Sequence, residues 1–367
     1  MPSSTQAADP VAIPSSDDIA KSLEKYFSQY KEGSFVFHTT TFYKEETDSF
    51  DNLPLLLQAK TTLWQTKDKA KISNEVVTHT KSKGAIVQLK QRYETIRLND
   101  VLLHFEINPK GKLSRVFQNK ISDNTYVADV PLPLIDGRTR YTGKNNIVDY
   151  IRLASPERIR FENLFESGSV HIKITVDSEF GIFSIIMDKS KSYFPVRLTE
   201  EKYSRHLGSE GRRLSEVPEA EGGPLAEIST DCKAIRLAQM SGRWYVAEFE
   251  TKCIVRSAKS KKADHQRDYY RLTNVSFTSP PEEMFRPSVP IPDGTSVSVV
   301  GEEMIPYEWR NGRVVKAIGR ETLFVPPDTD YRSDRSWFWP SLILGLVSLA
   351  GIAAFFTWRW YRLRETS

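Results

Sequence analysis

The chain has little of what most catalytic sites are made from. Its 367 residues include only two cysteines, Cys232 and Cys253, and six histidines. A disulfide-dense scaffold is excluded, because at most one bridge can form. His38, His79, His104, His171, His206 and His265 share no metal-ligand spacing, and no H-E-x-x-H pattern occurs. There is no G-x-S-x-G elbow, no Walker loop and no G-x-G-x-x-G turn. Charge of one sign is scarce as well: 51 Lys and Arg against 47 Asp and Glu leave a net +4. A nucleic-acid surface would therefore need a local basic patch. The best stretch, Arg256 to Arg267 with Lys259, Lys261 and Lys262, has no aromatic platform and reads as a solvated hairpin tip. The carboxylate pairs Glu45-Glu46, Glu200-Glu201 and Glu302-Glu303 point to opposite faces of an extended chain and read as solvated. No catalytic set, metal, cofactor or nucleic-acid partner is expected.

Long apolar runs are also missing, with one exception. Leu342 to Phe356 carries no charge, within a run from Trp337 to Trp358. About 20 apolar residues rising 1.5 Å each cross a hydrocarbon core of ~30 Å. Only a helix satisfies its own backbone there without closing a barrel. Trp337, Phe338 and Trp339 flank one end; Trp358, Trp360 and Tyr361 flank the other, as interface anchors do. Arg359, Arg362 and Arg364 follow, so the positive-inside rule puts residues 359–367 in the cytoplasm. The large domain is then extracytoplasmic, on the outer face of the inner (cell) membrane. Residues 1–16 are polar and proline-containing, read as disordered, and hold no apolar leader. The small residues Thr5-Gln6-Ala7-Ala8 look like the end of a cleavage site, with a leader expected upstream of Met1. The alternative is a tail-anchored protein whose domain is cytoplasmic.

Between these ends, aromatic and β-branched residues dominate, which favours sheet. A first helix starts at Ser16 as its cap, with Asp17 and Asp18 at its positive end and Gly33 as its stop. Ile19, Leu23, Tyr26, Phe27 and Tyr30 form its apolar face. Strands are expected over Phe35–Tyr43, Ala59–Gln65, Ala70–Thr80, Ala85–Ile96, Val101–Ile107 and Leu113–Phe117, separated by short turns as in an antiparallel meander. Asn145–Leu153 and Pro156–Phe165 read as two helices, the second capped by Ser155, burying Ile147, Ile151, Ile159, Leu164 and Phe165. Strands resume over Ser169–Val176, Gly181–Asp188 and Tyr193–Tyr203. Gly208–Gly223 reads as an inserted loop. Glu227–Met240 and Arg243–Arg256 pair about Ser241-Gly242, and Asp268–Phe277 follows. Asn311-Gly312 marks a type I′ hairpin inside residues 301–336, which otherwise tether the domain to the membrane. The fold class is mostly β (α+β): a curved antiparallel sheet or unclosed β-barrel with a few covering helices, plus one C-terminal transmembrane helix.

The two cysteines fall in that hairpin. A bridge needs a register that opposes them. If Ile235 and Leu237 share a face with Tyr245 and Phe249, Cys232 and Cys253 lie on opposite faces, and only a bulge reconciles them. Either one disulfide or two separate buried thiols follows.

Four local patterns resemble the LolA-like outer-membrane lipoprotein-sorting and carrier family. They are the opening helix before Phe35-Val36-Phe37; Phe183-Ser184-Ile185-Ile186-Met187-Asp188 with Tyr193-Phe194-Pro195-Val196; Gly242-Arg243-Trp244-Tyr245-Val246; and Asn274-Val275-Ser276-Phe277 leading through Phe285 to Val289-Pro290-Ile291-Pro292-Asp293-Gly294-Thr295. The resemblance covers residues 17–300. It departs in length, in the insertion near 208–223 and in the anchor, and so is closer to a membrane-anchored relative of planctomycete type than to a soluble shuttle. It implies an unclosed barrel lined for acyl chains. Ile185, Met187, Tyr245 and Phe249 are the groove candidates, with plain core as their alternative role. Three functions follow: a membrane-anchored binder of a lipid or lipoprotein acyl chain; an envelope sensor or scaffold contacting another membrane protein; a hydrolase whose site has no recognisable motif. An empty apolar cavity favours the first. A packed core with an exposed apolar patch favours the second. A cleft of converging perturbed acids and bases favours the third.

Overall fold

The computed structural model describes residues 15–82, 85–98, 101–120, 132–139, 145–166, 169–208, 211–218, 223–302 and 305–317. Among these, no helix is long and apolar enough to cross a membrane. The expected span and its interface residues, Trp337, Trp339, Trp358, Trp360, Arg359, Arg362 and Arg364, lie outside the described residues, as does most of the N-terminal segment.

The chain opens with helix α1 (Ser16–Ser28). Ser15, not Ser16, is its cap: the Ser15 hydroxyl accepts from the Asp18 amide. Six strands follow as a meander: β1 (Gly33–Thr47), β2 (Leu55–Gln65), β3 (Lys69–Ser82), β4 (Ala85–Leu98), β5 (Val101–Ile107) and β6 (Leu113–Lys120). Two short helices come next, α2 (Pro133–Asp136) and α3 (Ile147–Leu153). A second meander runs through β7 (Ile159–Glu166), β8 (Ser169–Ser178), β9 (Gly181–Asp188), β10 (Phe194–Tyr203), β11 (Leu225–Met240), β12 (Arg243–Ser257) and β13 (Ala263–Ser276). β13 returns to pair antiparallel with β1, which joins the two meanders. Three short strands, β14 (Ser296–Val299), β15 (Tyr307–Arg310) and β16 (Arg313–Lys316), extend the far side, with β14 parallel to β6. Among the described residues the result is one 16-stranded sheet ending in β16 on one side and β7 on the other, so it is unclosed. The hairpin expected in the membrane tether is thus part of the sheet, and its Asn311 and Gly312 both take positive φ as a type I′ turn requires.

The sheet curves around its helices. Ile19, Leu23, Tyr26 and Phe27 of α1 and Ile147, Val148 and Ile151 of α3 share one buried cluster with Phe35 and Phe37 of β1, Ile72 of β3 and Ile185 and Met187 of β9. Each large side chain so buried contributes about 1.5–3 kcal/mol. Tyr26 also donates to the Leu134 carbonyl at 2.6 Å, which fastens α1 to α2. Gly137 ends α2 at φ +73°, and a Cβ there would sit 2.7 Å from the Phe27 ring. Only glycine satisfies both demands. A second cluster, with Phe105, Val116, Val299 and Trp309, fills the β5–β6–β14–β15 end. There Lys71 and Glu94, both buried, lie 3.3 Å apart. Lys71 donates to the Arg286 carbonyl and the Ser288 amide donates to Glu94, so the pair bolts the proline-rich crossing onto β3 and β4.

Three expectations need correction. Pro156–Phe165 is not a helix: three residues of 3-10 turn lead into strand β7, which pairs with β8 from Ile159↔Val176 to Glu166↔Ser169. A neighbouring strand edge outweighs local helix propensity there. Phe165, expected inside, is 79% exposed, because β7 is the sheet's edge. The loop after Gly208 does not simply project. Leu207 bridges Arg213 and Leu214 is buried. α2 had no sequence signal beyond Pro133 and Gly137, being one turn long.

Candidate functional site

The groove candidates converge as the period-two pattern demands. Ile185 lies between Ile174 on β8 and Leu198 on β10. Met187 faces Ile172 and Pro195. Phe249 opposes Ala234 and Tyr270, stacking on the Tyr270 ring at 4.5 Å between centroids. Ile185, Met187 and Phe249 have no exposed surface. Tyr245 is half-buried at the rim, edge-on to Phe277 at 6.2 Å. The inner face that would hold an acyl chain is occupied by the chain's own α1, α2 and α3. Rings close it: Phe194 packs on Tyr26 at 4.7 Å, and Tyr150 stacks on Phe183 at 4.1 Å.

The same face turns polar beyond Phe249. Thr41 donates to Asp268 at 2.6 Å, and Gln266 donates to the same carboxylate at 2.9 Å. Thr230, Thr251 and both cysteines are buried beside them. Further along, Glu200 and Lys202 lie 3.3 Å apart with almost no exposure, and Thr139 donates to Glu200. Burial pushes the Glu200 carboxyl above its ordinary pKa, against the pull of Lys202 and Thr139. This corrects the solvated reading of Glu200-Glu201, which holds for Glu201 alone. The missed signal was alternation: Leu198, Glu200 and Lys202 all fall on the inward side. A buried ion pair of this kind is as compatible with architecture as with chemistry. Among the described residues no group of three His, Cys, Asp or Glu is arranged to hold a metal.

No disulfide joins the cysteines. Cys232 opposes Thr251, and Cys253 opposes Thr230, so the two are offset by two residues along one face. The register set at the Ser241-Gly242 turn puts them there: Met240 opposes Arg243 and Leu237 opposes Val246, and two register shifts around Arg236 cancel before Cys232 is reached. Ala234 pairs with Phe249 and Arg236 with Glu248, leaving Ile235 unpaired. Ile235 is accordingly 56% exposed rather than inward. Burial pushes the Cys232 thiol up to about 12.

The outer surface differs from the filled interior. β3 and β4 form an arm that outruns its neighbours: β2 reaches Thr78 only, and β5 begins pairing with β4 at Arg92. Ile86, Val87 and Leu89 on this arm are exposed by 69%, 39% and 51%. At its root, where β5 leaves β4, lies a cleft of about 410 Å³ lined by Lys90, Arg92, Tyr93, His104, Glu106 and Arg115 among others. Burial holds His104 down at about 4, and its Nδ1 lies 3.0 Å from the Thr95 hydroxyl. The basic stretch after Arg256 is a hairpin tip as expected. Lys259, Lys261 and Lys262 are exposed, and Arg256 and Arg267 pair with Glu227 and Glu250.

No family model and no curated protein matches this sequence. Among solved structures, a DUF1329 family protein from Desulfovibrio piger aligns over 73% of this chain and 95% of its own, with 7% identity and a TM-score of 0.31. The MucA/MucB complex of Pseudomonas aeruginosa aligns over 70% of this chain and 94% of its own, with 10% identity and a TM-score of 0.19. Lipovitellin aligns over 68% of this chain and 26% of its own, with 9% identity and a TM-score of 0.23.

Proposed function

We propose that this chain is a membrane-anchored, extracytoplasmic scaffold that works through protein contacts and not through chemistry. The observation that carries this reading is the filled inner face. Ile185, Met187 and Phe249 have no exposed surface and share one buried cluster with the helices' apolar faces, while large apolar side chains stand exposed on the β3–β4 arm. A sheet whose interior is spent on its own core has its outer surfaces left for recognition. Residues 337–358 would hold the scaffold at the membrane, with the arginine tail inside the cell.

A lipid or lipoprotein acyl chain remains the second reading, for one structural reason. The cover consists of three separate helices, the longest of 13 residues, each resting an apolar face on the sheet. Lifting α1 would bare a continuous apolar surface wide enough for an acyl chain. Native mass spectrometry of the full chain, released from membranes in polymer discs, separates the two. The scaffold reading expects a stoichiometric complex with a membrane or envelope protein. One lipid retained per chain, with no protein partner, would replace it with the acyl-chain reading.

A further inference from the structure

We infer that the outward edge of β4, from Ile86 to Gln91, is a strand-addition site for an extended, acidic segment of a protein partner. The inference rests on the scaffold reading and names its contact surface.

Backbone geometry comes first. The register opposes Ser82 and Ala85, which are separated by two residues in the sequence. In such a hairpin the flanking pair is hydrogen-bonded, and bonding then alternates along the strand. The amides of Ala85, Val87 and Leu89 therefore face β3, while those of Ile86, Gln88 and Lys90 face away from it. β5 covers β4 only from Arg92 onward, so among the described residues these outward groups meet no strand. They form an open template in line with β5, and an added strand would continue the course that β5 abandons at Ile107.

Side chains then select the occupant. Ile86, Val87 and Leu89 offer apolar contacts on both faces of the edge. From Val76 to Arg92 the sequence carries Lys81, Lys83, Lys90 and Arg92 and no Asp or Glu. The cleft at the end of the edge continues the theme: of its lining cations Arg92 lies 3.6 Å from Glu94 and Arg115 lies 4.0 Å from Glu106, which leaves Lys90 facing the edge. Opposite charges across a strand pair attract and like charges repel. An acidic strand is therefore favoured, and a second copy of this basic arm is not. A lipid surface fits worse, since hydrocarbon would leave the outward amides and carbonyls unpaired.

The test uses the full chain in detergent micelles and fluorescence anisotropy. The probes are a labelled heptapeptide alternating Val and Glu and its Val/Lys counterpart. The Val/Glu peptide is expected to bind at least about ten-fold more tightly. Gln88→Pro removes one outward N–H while leaving the β3 ladder intact, because proline is tolerated where its nitrogen faces solvent. It should weaken Val/Glu binding about ten-fold, the size of one or two lost strand hydrogen bonds, with unchanged circular dichroism. Lys90→Glu should weaken it comparably without touching the backbone. Equal binding of both peptides, or Val/Glu binding indifferent to both substitutions, overturns the inference. So does a Gln88-dependent dimer in light scattering, which would give the edge to a second copy. Gln88-dependent binding to phosphatidylglycerol vesicles would give it to the membrane and overturn the inference too. Each of these leaves the scaffold reading standing, because that reading falls only if native mass spectrometry finds no protein complex.

Discussion

Phe249 is the residue on which core and groove make opposite forecasts. It has no exposed surface, stacks on Tyr270 with ring planes 10° apart, and faces the small Ala234 across the hairpin. As a core residue, Phe249→Ala forfeits the transfer energy of a ring and leaves a cavity that strands on both sides cannot collapse into. That costs about 3–5 kcal/mol, of which ~0.5–1.5 kcal/mol is the lost ring pair. Met187→Ala, equally enclosed, should cost about 2–5 kcal/mol. The exposed bulge residue Ile235 serves as a control, and Ile235→Ala should stay within about 0.5 kcal/mol. The assay is urea unfolding of lipid-stripped protein followed by tryptophan fluorescence, with the slope against urea held constant across variants. If Phe249→Ala and Met187→Ala each cost less than about 1 kcal/mol, these side chains line a space that something else fills, and the filled-interior reasoning is wrong.

Three further outcomes are expected. His104 is held at about 4 by burial against an ordinary 6.5, so the unfolded chain binds its proton first. Its stabilising contribution is complete above pH ~6.5 and is lost as pH falls towards ~4, amounting to at most ~3 kcal/mol. Urea titrations from pH 7 to 4.5 should show a shallower acid loss in His104→Gln than in the parent; parallel curves would refute the assignment. Lys71→Met leaves the buried Glu94 with the Ser288 amide and, among the described residues, the Arg92 guanidinium at 3.6 Å as its cation, and should cost about 3–5 kcal/mol. Lys71→Met with Glu94→Leu should cost less than Lys71→Met alone, and a larger loss in the double variant would contradict the stranded-charge account. Finally, the unreduced, denatured chain should react with two equivalents of a thiol reagent, whereas native Cys232 should react only on the timescale of local opening. The absence of any reactive equivalent in the denatured state would reveal a disulfide.

Much of the architecture was legible along the chain because its signals are local. Alternation marked the strands, Asn311-Gly312 and Ser241-Gly242 marked two hairpins, and the stripe from Ile19 to Tyr30 marked the face α1 buries. Each depends only on neighbours two to four residues away. The failures share the opposite property. Pro156–Phe165 carries a helix start signal, yet a sheet edge captured Ile159–Glu166. Phe165 was exposed by that strand's place at the end of the sheet, which no local pattern encodes. The bulge that leaves Ile235 unpaired depends on how β11 matches β12 across the hairpin.

The sequence by itself determined that this is a mostly β chain with a short helical cover, because side-chain periodicity and turn chemistry are written residue by residue. It also pointed to side chains that meet inside, Ile185, Met187 and Phe249 among them, but not to the exposure of Phe165 and Ile235. Only the tertiary structure decided whether they enclose a ligand or each other, since that depends on where α1, α2 and α3 come to rest. It alone showed that Glu200 and Lys202 are buried together, and that β4 outruns β5 to leave an open edge. Burial and unpaired edges are properties of the distances between segments far apart in the chain, and a linear pattern does not specify those distances.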